Sequence, residues 1–282
     1  MESLNITRLS ALSHPGRLAL FRLLVRRYPD EVPAGEIAQA LGYKPNTASV
    51  YLSSLLASGL IANRRQGTSL LYRADLSVAG DLMQYLFSDC CRDRLDLNVP
   101  DAHLACAASQ RSATKTVTVL FTCSGNASRS LCAQSILQDT APDRYTVFSA
   151  GHHPAQTPNP AMLELLTSKG HQTASLRCDN IADFQQPNAP RIDIVITLCD
   201  RAAHEECPPW TGQPVTTHWG TTSLSHHMKT GVGKAEACEE IYRNLATKIR
   251  SFSQLDLHTL HRPALQNALD RISNPTDGTI LS

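Results

Sequence analysis

Apolar positions recur at helical spacing from Leu4 to about Phe87, broken at intervals by Pro and Gly. Leu18, Phe21, Leu24 and Val25 share one face after Ser13-His14-Pro15, a combination that opens helices. Two short helices are expected next, over 33–42 and 45–59, each closed by a glycine. Residues 61–73 switch to alternation around Gln66-Gly67-Thr68, the pattern of a β-hairpin. Residues 92–115 lose all periodicity and read as a linker. From Thr116 strand-like and helix-like stretches alternate: strands over 116–121, 145–150, 192–198 and 215–219, with helices after the first, from Asn159, and over 234–252. That order predicts a parallel sheet covered by helices. A last amphipathic helix is expected over 263–272, with Leu265, Ala268, Leu269 and Ile272 on one face.

Length and composition fit this division. The 282 residues, 42% hydrophobic and 18% charged, suffice for two soluble domains with separate cores. The expected boundaries are 1–91, a linker over 92–115, a second domain over 116–252 and an extension over 253–282. Net charge is +1, unevenly spread: residues 1–75 carry nine Lys/Arg against five Asp/Glu, +4, leaving −3 for the rest. A basic front end is compatible with nucleic acid. The N-terminus shows no basic, apolar leader, and no run approaches the ~18 apolar residues of a membrane helix, so a cytosolic protein without membrane contact is expected. Nine cysteines in such a chain read as catalytic, metal-binding or buried rather than as a disulfide framework.

Two short helices followed by a hairpin make a winged helix-turn-helix, a mainly α domain. Its second helix enters the major groove N-terminus first while the wing follows the backbone. Lys44, Asn46, Thr47, Ser49 and Tyr51 lie at the start of that helix, and Arg64 and Arg65 open the wing. These are the candidate contacts to bases and phosphates. The bland alternative is a three-helix protein-interaction domain.

Cys123 to Ser130 reads Cys-Ser-Gly-Asn-Ala-Ser-Arg-Ser, between an apolar strand and a helix. A loop at that junction turns backbone N–H groups onto an anion and favours a thiolate at its centre. Ser124, Gly125, Ala127 and Ser128 supply the cradle, and Arg129 can grip two oxygens of a tetrahedral oxyanion. Ser130 can hydrogen-bond the Cys123 sulfur, and the Asn126 amide can brace the loop. The alternative is a buried structural cysteine matching by chance.

The first domain resembles the ArsR/SmtB-type repressors. The resemblance lies in Ala11-Leu-Ser-His-Pro-Gly-Arg-Leu18, Glu36-Ile-Ala-Gln-Ala-Leu-Gly42, Thr47-Ala-Ser49, Leu55 through Ile61, and Arg64-Arg-Gln-Gly67. It implies a homodimer that leaves operator DNA when a metal or metalloid binds. The cysteines that many members carry on the first helix of the motif are absent from Val32-Pro-Ala-Gly-Glu36. Cys90-Cys91, with Cys106 as a third thiolate, can replace them, because trivalent arsenic or antimony takes soft sulfur ligands.

Residues 116–252 resemble the low-molecular-weight protein tyrosine phosphatase superfamily, and within it the arsenate reductases. The matching residues are Val119 through Ser130, Ser149-Ala-Gly151, Asn159-Pro160, Thr197-Leu-Cys199-Asp200, Cys207-Pro208 and His218-Trp-Gly220. The resemblance implies an α/β fold around a central parallel sheet and arsenate as substrate. It also implies a relay in which Cys123 attacks arsenic, Cys199 resolves and Cys207 presents the disulfide to thioredoxin or a similar reductant. No organic cofactor is implied. Two positions depart from the family. Ser223 stands where an aspartate protonates the leaving group, and Gln134 where a glutamate helps hold potassium. Cys132, Cys178 and Cys238 read as structural.

Overall fold

The computed structural model describes residues 2–91, 116–186, 188–205, 210, 214–229, 233–257 and 259–273. The chain divides into two compact units, residues 1–107 and 108–282. Among the described residues no helix is long and apolar enough to cross a membrane.

The first unit runs α1 (Glu2–Leu12), α2 (Pro15–Arg27), β1 (Val32–Pro33), α3 (Ala34–Ala40), α4 (Pro45–Ala57), β2 (Ile61–Gln66), β3 (Ser69–Ala74) and α5 (Leu76–Gln84), with a π-helical turn at Tyr85–Cys90. His14 caps α2 by accepting from the Gly16 N–H at 3.1 Å. The corner between α3 and α4 passes through Gly42 at φ +66°, a left-handed conformation that costs glycine little. α2, α3 and α4 meet over Leu20, Leu23, Leu24, Ile37, Leu52 and Leu55, all fully buried. β2 and β3 form the expected antiparallel hairpin, and β1 joins the other side of β3. This is the winged helix-turn-helix expected from the sequence.

The second unit runs β4 (Val117–Cys123), α6 (Arg129–Thr140), β5 (Tyr145–Gly151), α7 (Pro160–Ser168), a 3₁₀ turn (Ile181–Gln185), β6 (Ile194–Thr197), α8 (Asp200–His204), β7 (Val215–His218), α9 (Leu224–Lys229), α10 (Lys234–Ser253) and α11 (Arg262–Ser273). Its four strands are all parallel, in the order β5-β4-β6-β7. Strand β4 is internal to the sheet, and six of its seven residues, all but Thr118, are buried. A run so continuously apolar suits a strand covered on both faces. The internal position also places its C-terminal residue, Cys123, between two neighbouring strands on the sheet's C-terminal edge, where ligands bind in open α/β sheets.

The amphipathic helix expected at the end of the chain is part of this unit. Leu265 and Leu269 enter its core, and the Trp219 indole N–H donates to Leu269 O at 3.1 Å. Three α11 side chains close the open edge of β7. Arg262 donates to Pro214 O at 3.0 Å, Gln266 to Thr216 O at 2.8 Å and Ser273 to His218 O at 2.6 Å. These carbonyls are two residues apart, so they share the outer edge of the strand, which natural sheets shield against pairing with other chains.

Asp270 lies in the same contact, accepting from Thr217 Oγ1 at 2.8 Å and Gln266 Nε2 at 3.0 Å. Burial raises its carboxyl pKa, and the two hydrogen bonds pull it partly back down. A raised folded-state pKa means stability that is complete at low pH and lost as pH rises through it. Asp270→Asn should therefore raise the thermal midpoint at neutral pH. A melting series should show the gain shrinking as pH falls towards about 4.

Candidate active site

The loop between β4 and α6 is turned inside out by its neighbours. Three of its carbonyls are held by the segment after β5: His153 N–H donates to Ser124 O at 2.9 Å, Ala155 N–H to Gly125 O at 2.9 Å, and Asn159 N–H to Ala127 O at 2.8 Å. A peptide whose C=O is held on one side presents its N–H on the other. The loop amides thus face its concave side, beside the N-terminus of α6. Ser128 stands at the N-cap of α6, and its side chain makes no capping bond. The helix's first N–H groups and positive dipole end are therefore available to an anion. The Ser124 hydroxyl is buried with no hydrogen-bond partner among the described residues.

Asn126 sets the curvature. Its φ of +44° is left-handed, a region asparagine tolerates better than most residues, and it is fully buried. Its Nδ2 donates to Ser149 O at 3.2 Å, and Arg177 O and Asp179 O lie at 3.4 and 3.5 Å. These carbonyls fix the amide's orientation and leave Oδ1 to accept from Ser130 Oγ at 2.7 Å. Ser130 Oγ lies 3.0 Å from Cys123 Sγ, and the Asn126 N–H donates to the same sulfur at 3.2 Å. Ser130 has a single proton. While Cys123 is a thiol, its S–H can donate to Ser130, which donates to Asn126. A thiolate can instead accept the Ser130 proton.

Arg129, in the first turn of α6, donates from Nη1 to Thr221 O at 2.9 Å and approaches Leu198 O at 3.4 Å. Both acceptors lie just beyond β6 or β7. The guanidinium is thereby tied to the loops after three strands, β4 included.

The second thiol is close by. Cys199 caps α8, with its sulfur accepting from Ala202 N–H at 3.4 Å and from Ser124 N–H, inside the anion loop, at 3.3 Å. Cys123, Cys199 and Ala202 form one buried cluster. Burial pushes the Cys199 thiol pKa up, while the Arg129 guanidinium pulls against that shift. Cys199 is thus held as a thiol beside the anion site. Cys207 and Cys106 lie outside the described residues. Cys132 and Cys238 are fully buried in the core and Cys178 is half-buried.

The structure gives a physical reason for Gly151, which the sequence marked only through the resemblance. Gly151 ends β5 directly opposite Cys123 in the register. A Cβ there would stand 2.8 Å from Ser124 O and 2.9 Å from Asn126 N, so the loop can reach its shape only past a glycine. Gly125, the loop's own glycine, has its nearest neighbour at 3.8 Å and is not the tight position. Ser223 accepts the His226 N–H at 3.2 Å and so caps α9. Gln134 accepts from Ser149 Oγ at 2.7 Å.

In the first unit Lys44, Asn46 and Ser49 are exposed along the start of α4, and Thr47 is half-buried. The Tyr51 ring packs between His14, at 4.9 Å between centroids, and Tyr43, at 5.6 Å. Arg64 and Arg65 are exposed on the wing, with Arg64 Nε donating to Glu31 Oε2 at 3.0 Å. Cys90 is exposed and Cys91 half-buried at the end of the π-helical turn. Hydrogen bonding to Cys90 raises the Tyr85 hydroxyl pKa, as the i, i+5 spacing of such a turn allows.

Residues 118–229 match the low molecular weight phosphotyrosine protein phosphatase family, and residues 12–64 a helix-turn-helix domain. A protein named arsenate reductase from Bacillus cereus strain Q1 is 33% identical over 107 residues, covering 36% of this chain and 73% of its own. The chain belongs to the low molecular weight phosphotyrosine protein phosphatase family. Another similar member, the arsenate reductase of Halalkalibacterium halodurans, is 26% identical over 136 residues, 48% of this chain and 94% of its own. Among solved structures, an arsenate reductase from Archaeoglobus fulgidus aligns with a TM-score of 0.37 at 21% identity, over 47% of this chain and 98% of its own. A winged helix-turn-helix domain from Mycobacterium bovis, described as a possible ArsR-family transcriptional regulator, aligns with a TM-score of 0.26 at 28% identity, over 33% of this chain and 86% of its own. The family segment ends before α10 and α11, which complete the core and the sheet edge here.

Gly151→Ala tests the packing of the loop. The added methyl forces the loop off its amide-lined shape at a cost of about 1–3 kcal/mol. Phosphate binding, followed by calorimetry, should weaken by roughly five- to a hundredfold, with the circular dichroism spectrum unchanged.

Proposed function

We propose that the second unit reduces arsenate to arsenite and that the first unit is a repressor released by the arsenite so formed. The observation that carries the reading is the Cys199 sulfur on the Ser124 N–H, in one cluster with Cys123. Hydrolysis of a phosphate ester needs one nucleophile and water. A second buried thiol at the anion loop serves a redox reaction.

Cys123 thiolate attacks arsenic of dihydrogen arsenate in the loop, an As–S bond forms, an As–O bond breaks, and the departing oxygen leaves as water with both of the arsenate's protons. Cys199, as thiolate, attacks the Cys123 sulfur. The S–S bond forms, the As–S electron pair stays with arsenic, and arsenic departs in its trivalent state. Arg129 and the loop amides stabilise the oxyanion, and the Ser130–Asn126 pair stabilises the thiolate as leaving and attacking group. Cys207 then takes over the disulfide, and thioredoxin or a similar dithiol restores the three thiols. The proposed sensor is Cys90 and Cys91 with Cys106 as a third ligand, binding trivalent arsenic or antimony. Lys44, Asn46, Thr47, Ser49, Tyr51, Arg64 and Arg65 are the proposed operator contacts of a homodimer.

A second reading has a specific observation behind it. Ser223, in the position of the family's acid, is a helix cap, so the domain can be a retired enzyme that binds oxyanion without turnover.

Arsenite production by the reduced protein with thioredoxin recycling decides between them. The expected result is activity in wild type, and none in Cys123→Ser or Cys199→Ser. Aryl phosphate hydrolysis that survives Cys199→Ser, with no arsenite formed, would establish a phosphatase instead. Operator binding, read by fluorescence anisotropy, should be released by arsenite in wild type and retained in the Cys90→Ser/Cys91→Ser double variant.

A further inference from the structure

A group of titratable side chains outside the thiol relay is fastened to the same loop. His152 and His153 directly follow β5, and the His153 N–H is the donor to Ser124 O at 2.9 Å. Glu205 directly follows α8, the short helix that Cys199 caps. Its carboxylate lies 3.3 Å from His152 Nδ1 and 3.7 Å from His153 Nε2, with Arg201 Nε at 3.8 Å. Helix α8 is therefore held at both ends on the anion loop. The Ser124 N–H holds the Cys199 sulfur at one end, and the imidazole pair holds Glu205 at the other. To bond with Cys123, the Cys199 sulfur must close to about 2.05 Å from its partner and leave the Ser124 N–H. A held helix resists that movement.

We infer that His152 and Glu205, with His153 beside them, form a proton-operated latch that positions Cys199, closed when the His152 imidazole is charged and loosened when it is neutral. The inference rests on the reading of Cys199 as the resolving thiol. Burial lowers the His152 pKa, Glu205 opposes that shift, and the neighbouring His153 adds to it. The latch consequently opens at a pH below the ordinary histidine value. Below that point the ion pair forms and α8 is held; above it the charge attraction is lost. Arg201 stays charged on both sides of the transition, and its side chain is 74% exposed, so it holds Glu205 weakly and without a pH step. Arg129, the charge that faces Cys199, does not titrate in this range either.

The test uses the full reduced chain and diamide, a two-electron azo oxidant, in place of arsenate. The two thiols lose two protons and two electrons, the Cys123–Cys199 bond forms, and diamide becomes the hydrazine. The rate of that disulfide is read by peptide mass spectrometry from about pH 5 to about pH 8, for wild type, Glu205→Gln, His152→Gln and Arg201→Gln. Thiol ionisation contributes the same slope to each protein, so the ratio of variant to wild type isolates the latch. For Glu205→Gln and for His152→Gln the ratio should be about two- to fivefold at the acid end and approach one at the alkaline end. For Arg201→Gln it should not vary with pH. A ratio for Glu205→Gln and His152→Gln that is flat across the range overturns the latch while leaving the relay intact. Failure of every protein to form the Cys123–Cys199 bond removes the relay reading and the latch with it.

Discussion

The carbonyls of Ser124, Gly125 and Ala127 face away from the anion cradle because the His153, Ala155 and Asn159 amides hold them there. Peptide planarity does the rest, turning the opposite N–H groups inward. Much else in the second unit keeps this inversion in place. Gly151 gives the loop room, Asn126 accepts the left-handed turn, and the Asn126 amide ties the loop to the 177–179 segment. Arg129 then fixes the loops after β6 and β7 to the same centre. An anion site built from backbone is rigid before its ligand arrives, which is the condition for electrostatic stabilisation without reorganisation.

The same loop reaches a part of the second unit's proposed chemistry that lies outside it. One N–H, from Ser124, goes to Cys199, the proposed resolving thiol, rather than to the anion, so the cradle itself positions that sulfur. Cys199 remains protonated through burial, and the pull of Arg129 sets how far that burial dominates. Arsenate resembles phosphate, and a regulator that read it directly would face constant competition. Trivalent arsenic is distinguished by its affinity for thiolates. A chain that joins a reductase-like domain to a regulator-like one can make its own signal in the form that is easiest to recognise.

The architecture was legible where local chemistry and periodicity agree. The hairpin followed from alternation broken at Gly67, which adopts φ +59°, and the parallel sheet from strands alternating with helices. Cys-x5-Arg-Ser identified the loop because its residue types match its function one by one. Other features depend on contacts between residues far apart in sequence. Gly151 stands in the sequence only as part of a matching motif, and the approach of Ser124 and Asn126 supplies the reason it must be glycine. Helix α8 starts on a cysteine, which is not a capping residue by type, so nothing marks its beginning. The pairing of Glu31 with Arg64 and of Glu205 with His152 is likewise invisible along the chain. Ser223 stands where the resemblance expects an acid, and its capping of α9 shows only in the fold.

The central claim is that Cys199 resolves an arsenic adduct on Cys123. The most direct measurement is a single turnover of the reduced Cys207→Ser variant with stoichiometric arsenate, quenched by acid and read by peptide mass spectrometry. The account predicts a Cys123–Cys199 disulfide in step with released arsenite, because the relay can proceed no further. Arsenite released without that disulfide, or arsenate left intact with both thiols reduced, would contradict it.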